Sequence, residues 1–245
     1  MRLILLVPAG LAIGSLFEWF VVRHAPQSLA ADLAQPLAVA TAWHGIGLWV
    51  LVALGTGAAI AGVGYVTTIR ALLARERSRP LVLLAVVAAA CGLGLAAAFF
   101  APVMLSSDVY AYATYGEMAL RGLDPYSHAP LTLADPIFAA TIRQWGNPPP
   151  VCVYGPLFVA ISRALVAATA GLGVAAQLDW LRALAMSALL ACVPLAYLAF
   201  ASLGQRARLV AAAAIALNPV AIWSAAEGHN DALLLAFALA GFALV

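Results

Sequence analysis

The feature that most constrains this chain is a set of long stretches without a charged side chain. Residues 37–69, 80–107, 183–205 and 209–226 contain no Asp, Glu, Lys or Arg. A helix needs about 20 mostly apolar residues to cross a bilayer, and helices satisfy their own backbone hydrogen bonds in lipid. Of the 245 residues, 65% are hydrophobic and 9% charged, against about 25% charged in a soluble domain. The sequence predicts an all-α, polytopic helical membrane protein.

The apolar stretches also give the expected positions of the membrane spans. We interpret the first stretch as a retained helix, because it is longer than the core of a signal peptide. About six to seven transmembrane helices are expected, at about 3–22, 37–69, 81–104, 178–203, 208–226 and, incompletely, 232–245. Residues 1–245 then form a single transmembrane domain, with a polar loop at 105–176.

Arginines set the expected orientation of the chain. The segment 70-RALLARERSRP-80 is the strongest basic cluster, and basic residues favour the cytoplasmic side. This places the N-terminus in the cytoplasm and the 105–176 loop outside. A helix over 156–170 would be about 22 Å long, short of the roughly 30 Å hydrocarbon core. We therefore expect it to lie on the outer membrane surface, as we expect for a helix at about 107–121.

This choice has a consequence for the second polar segment. With 156–170 on the surface, Arg206 and Arg208 become cytoplasmic and the next span runs outward. The segment 226-AEGHND-231 then lies on the same side as residues 105–150. Two acid-bearing segments are therefore predicted to face one another at one membrane surface.

The first of these segments carries a candidate acidic site. Ser106 and Ser107, either of which can cap a helix, precede Asp108, and an acid at a helix start complements the exposed backbone N–H groups. On such a helix Asp108, Tyr112 and Tyr115 share a face, and a carboxylate beside two phenol hydroxyls suits a sugar. A capped helix with interfacial tyrosines is the alternative.

Further candidate substrate contacts lie in the rest of the outer loop. Arg121 has the bidentate geometry that suits a phosphate. Tyr126 lies in the turn 122-GLDPYSHAP-130, and Tyr154 lies in the irregular segment 145-WGNPPPVCVYGPLF-158. Anchoring at the membrane interface is the alternative role for Tyr154.

In the second segment, His229, Asn230 and Asp231 interrupt two apolar stretches. Ionisable groups at this depth often mark a functional site, although an ordinary polar turn is the alternative. His229 and Asp231 are the candidate ligands for a divalent metal ion, but two residues do not define a metal site. No basic cluster indicates a nucleic-acid partner.

Short motifs in a fixed order carry a family resemblance. After the third span come S-x-D-x-Y-x-Y, G-L-D-P-Y, Y-G-P-L, L-N-P and finally G-H-N-D. The series resembles the polyprenyl-phosphate-mannose-dependent mannosyltransferases, integral membrane glycosyltransferases of the GT-C fold. The bacterial branch that builds the α-mannan cores of lipoglycans is the nearest match, and the resemblance covers about residues 80–245.

The resemblance implies roles for particular residues. Asp108 matches the family's catalytic acid position, and Asp231, with His229 and Asn230, matches a second acidic motif at the same site. Asp124 stands where the family motif usually has Asn. Family members are much longer, so the resemblance implies that this chain lacks a C-terminal half, which leaves a separate half as a further partner.

The expected function follows from these points. The resemblance implies transfer of a sugar, expected to be mannose, from a polyprenyl-phosphate donor to a glycan or glycolipid hydroxyl, with inversion. The reaction would occur on the extracytoplasmic face of the plasma membrane, among membrane lipids. A transporter or flippase is one alternative, although transporters place their charges near the bilayer midplane. A non-catalytic half of a split enzyme is another.

Overall fold

The computed structural model describes residues 2–24, 46–74, 79–101, 103, 106–130, 136–145 and 149–244. The described residues form ten α-helices and no strand, so the predicted all-α class is confirmed. After a 3₁₀ turn, Arg2–Leu5, the helices are α1 Leu6–His24, α2 Ile46–Ala74, α3 Pro80–Phe99, α4 Asp108–Leu120, α5 Pro136–Trp145, α6 Pro156–Thr169, α7 Val174–Ala199, α8 Gly204–Ala216, α9 Pro219–Ala226 and α10 Asp231–Ala243. Residues 37–45, where the second span was expected to begin, lie outside the described residues.

The number of membrane spans is lower than expected. Among the described residues three helical segments are long and apolar enough to cross a membrane, namely Val52–Ala74, Pro80–Phe99 and Val174–Ala199. The bent pair α8 and α9 makes a fourth if it is counted as one span. The prediction of six to seven was too high for this part of the chain, because it counted apolar composition without requiring the length of a continuous helix.

The predicted 208–226 span is broken into two helices. Helices α8 and α9 meet at an angle of 47°. Pro219 begins α9, where its missing N–H costs nothing, and the Asn218 side chain accepts hydrogen bonds from the N–H groups of Val220 and Ala221. The sequence Leu-Asn-Pro therefore ends one helix and caps the next, and α9 takes its own direction towards Glu227.

The helices form two groups with separate hydrophobic cores. The larger core is built from α1, α2, α3 and α7 to α10, with Cys192, Val193 and Ile222 fully buried. Two smaller cores lie among α4, α5, α6 and the first turns of α7, one around Tyr112 and the other around Tyr115. Helices α4 to α6 thus form a cap against the start of α7. The chain is a membrane protein with a bundle of apolar helices and this cap of shorter ones.

A glycine lets the cap helices approach closely. A Cβ at Gly116 of α4 would lie 2.7 Å from the backbone carbonyl of Ser162 in α6. Helix α4 therefore lies directly against the backbone of α6, an approach that small residues allow between helices. This contact fixes the position of α4, whose first residue is Asp108.

Two arginines in the first turns of α8 lie at the other end of the bundle. Arg206 donates a hydrogen bond to the carbonyl of Leu73 near the end of α2 (3.4 Å), and Arg208 donates to the carbonyl of Tyr197 (2.7 Å). The end of α2 and the start of α8 are therefore at one end, away from Asp108. Which end faces the cytoplasm stays a prediction.

Candidate functional site

The two polar segments meet at Asp108 and His229. The Nδ1 atom of His229 lies 3.4 Å from Oδ2 of Asp108, and their side chains are 27% and 31% exposed. Asp108 is the first residue of α4, and its N–H donates to the hydroxyl of Ser106 at 3.2 Å. The carboxylate is thus partly open to solvent and held at a helix N-terminus, where the helix dipole favours its negative charge.

A second contact joins the same two segments. Glu227 is only 3% exposed, and its Oε2 accepts a hydrogen bond from the backbone N–H of Ser106 at 3.2 Å. On the cap side, the indole N–H of Trp145 in α5 donates to the carbonyl of Ser107 at 2.8 Å. The residues immediately before Asp108 are therefore held from both sides.

Arg182 of α7 contacts the chain that leads into each of the two segments. Its side chain is 5% exposed, and its guanidinium donates to the carbonyls of Ala226 (2.6 Å), Phe99 (2.9 Å) and Ala101 (2.9 Å). It also forms an ion pair with Asp179 at 3.2 Å. Sequence reasoning missed this residue, because one arginine near the start of an apolar helix gives no sign that carbonyls of distant segments surround it.

Tyr112 is buried rather than presented to a ligand. Its ring is 1% exposed and packs edge-on against Tyr154 and Phe158, with both centroid distances 4.8 Å. Its hydroxyl donates to Oδ1 of Asn230 at 3.4 Å. Burial, and then the hydrogen bond with Tyr154, raises the pKa of Tyr112. The predicted open face at this ring is absent, because α6 and the loop before it cover that side of α4.

Tyr115 is buried in the same way. It is 3% exposed, its hydroxyl donates to the carbonyl of Pro150 at 2.8 Å, and burial raises its pKa. Tyr154 is partly exposed, and burial raises its pKa, with a smaller effect from the nearby charge of Asp108. Of Tyr112, Tyr115 and Tyr154, only Tyr154 is partly exposed.

The remaining predicted contacts differ in how close they lie to Asp108. Arg121 forms an ion pair with Glu117, with Nε 2.6 Å from Oε1, so part of its charge is used within α4. Tyr126 is 41% exposed in a turn that Asp124 closes by accepting from the Tyr126 N–H. Asp231 is exposed at the first residue of α10. The structure does not bring these side chains into contact with Asp108.

An apolar groove runs along α9 to the site. It has a volume of about 350 Å³ and lies between α1, α2 and α9, with Leu11, Leu54 and Trp223 among its lining residues. Glu227 and His229 line it as well. The residues of α9 that line it recur at helical spacing, so the groove follows one face of this helix to the segment that carries His229.

The described residues do not form a protein-only metal site. No group of three or more His, Cys, Asp or Glu side chains in the described parts of the chain is arranged to hold a metal ion. His229 contacts the carboxylate of Asp108, not that of Asp231, as far as the described contacts show. The metal-ligand role considered from the sequence for His229 and Asp231 therefore stays a prediction.

The sequence of this chain is similar to those of two mycobacterial proteins. A probable alpha-(1->6)-mannopyranosyltransferase of Mycolicibacterium smegmatis is 32% identical over 150 residues, 58% of this chain and 25% of the relative. An alpha-(1->6)-mannopyranosyltransferase of Mycobacterium tuberculosis is 34% identical over 148 residues, 58% of this chain and 24% of that protein. The matched stretch thus spans about a quarter of each relative. No solved structure matches the chain.

The family match itself covers nearly the whole chain. Residues 5–245 match the family described as "Alpha-(1->6)-mannopyranosyltransferase, N-terminal domain". The resemblance drawn from the short motifs is confirmed by this match. The chain belongs to the alpha-(1->6)-mannopyranosyltransferase family, within its N-terminal domain.

Proposed function

We propose that this chain carries the acidic site of a membrane mannosyltransferase. The observation that carries the proposal is the contact between Asp108 and His229, at the end of an apolar groove, in a chain of a mannosyltransferase family. The donor is a polyprenyl-phosphate mannose, and the acceptor is a hydroxyl of a glycan or glycolipid. The reaction takes place on the extracytoplasmic face of the plasma membrane, within a GT-C architecture.

The groove supports a lipid-borne donor. Its lining is apolar except near Ser224, Glu227 and His229, so an isoprenoid chain would lie along α9 with its phosphate towards His229. Broken helices in membrane proteins commonly leave irregular backbone where a ligand binds, and α9 begins at such a break. The lipid, the phosphate and the sugar would then follow one another towards Asp108.

The proposed chemistry is a direct displacement. The Asp108 carboxylate takes the proton from the acceptor hydroxyl as that oxygen attacks the anomeric carbon of the mannose. The new C–O bond forms while the bond from the anomeric carbon to the phosphate oxygen breaks, and the lipid phosphate leaves with the electron pair. One displacement inverts the anomeric centre, so a β-linked donor gives an α-linked product.

His229 has two roles in this scheme. Its contact with Asp108 orients the carboxylate, and its place in the groove lining puts an imidazole next to the departing phosphate, whose charge a hydrogen-bond donor stabilises.

The test is a transfer assay with radiolabelled polyprenyl-phosphate mannose and membranes prepared from cells that express the full-length protein. Asp108→Asn keeps the shape of the side chain and removes the base, so we expect transfer to fall by a factor of about 10² to 10⁴. Asp124→Asn is the matched control, since Asp124 lies in an exposed turn that Asn also forms, and it should retain transfer. Wild-type transfer by Asp108→Asn would show that the proposed base is wrong.

A further inference from the structure

Arg182 is the most heavily bonded buried cation among the described residues. Its guanidinium lies 4.5 Å from the centre of the Phe99 ring and donates to three backbone carbonyls, those of Phe99, Ala101 and Ala226. Phe99 and Ala226 are the last residues of α3 and α9. The final carbonyls of a helix lack intrahelical partners and carry the negative end of the helix dipole. One guanidinium therefore satisfies the ends of two helices at once.

These two helix ends lead directly into the two site segments. The chain continues from Ala101 towards Asp108, and from Ala226 through Glu227 and Gly228 to His229. The guanidinium thus joins the two segments at Ala101, seven positions before Asp108, and at Ala226, three positions before His229. The hydrogen bond from the Ser106 N–H to Glu227 is a second tie between the same segments, closer to Asp108.

The stem of Arg182 also bounds the path of the second segment. At Gly228 the backbone has a φ of +90°, and a Cβ there would lie 3.3 Å from Cγ of Arg182 and 2.8 Å from Cγ2 of Val109. The chain therefore passes between α7 and α4 with almost no spare room. His229 is the next residue after Gly228, so its distance from Asp108 depends on the position of the Arg182 side chain.

We propose that Arg182 is a positioning residue of the transfer site, which holds the Asp108 and His229 segments at their reactive separation. This inference rests on the proposed function for its catalytic consequence, but its geometric part does not. Arg182 touches neither side chain of the pair in the described contacts, and it acts through the backbone of both segments. Its fork of donors is the reason that lysine is a poor substitute, since an ammonium cannot reach all three carbonyls in the same plane.

The first experiment measures transfer in proteoliposomes for Arg182→Met and Arg182→Lys. A misplacement of about 1 Å far from the chemistry can cost about a hundredfold in rate, so we expect kcat to fall about that much in Arg182→Met. The KM for the donor should change much less than kcat, because most of the groove lining, from α1, α2 and α9, lies outside the two segments that Arg182 holds. Arg182→Lys keeps the charge, should fold where Arg182→Met does not, and should still lose most of kcat.

Arg208 offers a matched control on the same scaffold. It donates to the carbonyl of Tyr197 at 2.7 Å, and its guanidinium lies 3.9 Å from the centre of the Tyr197 ring. Tyr197 lies on α7 about four turns after Arg182. Arg208→Met removes a guanidinium that also donates to a backbone carbonyl and stacks on a ring, but at the other end of α7. We expect it to retain wild-type kcat. A folded Arg182→Lys with wild-type kcat, or an Arg208→Met with an equal loss, would overturn the proposal.

The second experiment measures the geometry without any activity. In a Cys152→Ala background, Asp108→Cys and His229→Cys are joined by a short thiol-reactive cross-linker, since these side chains are in contact. Cross-linking should be fast in this pair, slow after adding Arg182→Lys and unchanged after adding Arg208→Met. Equal rates with and without Arg182 would overturn the positioning role. If Arg182→Lys slows cross-linking but the protein without any substitution transfers no mannose, the positioning role stands and the proposed function is rejected.

Discussion

Replacing Gly228 by alanine tests whether the second site segment passes as tightly as the structure indicates. The backbone there has a φ of +90°, and alanine pays about 1–2 kcal/mol for a left-handed conformation. The new Cβ would also lie 2.8 Å from Cγ2 of Val109, an overlap of the kind that costs about 1–3 kcal/mol in a packed core. Gly228→Ala should therefore destabilise the protein by about 2–5 kcal/mol.

A second glycine separates these two contributions. Gly122 has a φ of +76°, but no atom lies within 4 Å of a Cβ added there. Gly122→Ala should therefore lose only the conformational part, about 1–2 kcal/mol. Removing the γ-carbons of Val109 should relieve the overlap, so Val109→Ala and Gly228→Ala together should cost less than the sum of the single changes.

The assay is thermal unfolding of the purified protein in detergent, together with mannose transfer. A difference of about 1–3 kcal/mol between the two alanine variants corresponds to about 2–4 °C for each kcal/mol in a chain of this size. Gly228→Ala should also lose transfer, because relief of the overlap moves His229 away from Asp108. Equal melting temperatures for Gly228→Ala and Gly122→Ala, with full transfer in both, would refute the tight passage.

Three further changes follow from the described contacts. The hydrogen bond from Ser127, and then that from the Tyr126 N–H, lowers the pKa of Asp124. The turn should therefore contribute its full stability above the ordinary Asp pKa of about 3.9 and lose it as pH falls through the lowered value. Asp124→Ala should remove this pH dependence, measured as the rate of proteolysis of the loop across an acid titration. Tyr115→Phe leaves the Pro150 carbonyl without its 2.8 Å donor and should cost about 1 kcal/mol in thermal unfolding. Trp223→Ala enlarges the groove and should raise the KM for the lipid donor while kcat is kept, as measured by initial rates.

The sequence was most informative where one residue controls a local structure. A helix beginning at Asp108 was expected from the preceding serines, and α4 begins at this residue. In the structure the Ser107 side chain makes no cap bond, whereas the Ser106 hydroxyl accepts from the Asp108 N–H. Local spacing thus predicted the helix start but not which hydroxyl supports it.

Long-range placement was predictable only in part. Counting arginines predicted that the segment with His229 would face Asp108, and these two residues are in contact. Helical spacing showed that Tyr112 and Tyr115 share a face with Asp108, but it gives no information about which helix covers that face. Helix α6 and its preceding loop cover it, so these rings belong to the cap core.

The features that the sequence did not reveal depend on tertiary contacts. Arg182 donates to three backbone carbonyls in two distant segments, and residue type alone does not indicate such contacts. The 47° break before α9 had a local signal, since Asn-Pro is a strong helix start, but the apolar composition on both sides concealed it. The groove beside Trp223 arises from that break and was not expected.

The most direct test of the central claim is a double-mutant cycle on the contact between Asp108 and His229. Transfer from polyprenyl-phosphate mannose is measured for Asp108→Asn, His229→Gln and the double variant, with protein folding checked in each. Because residues of one reacting unit are strongly non-additive, we expect the double variant to be about as slow as the slower single variant and no slower. Losses that multiply, as for independent sites, would contradict the claim that these two side chains form one reacting centre.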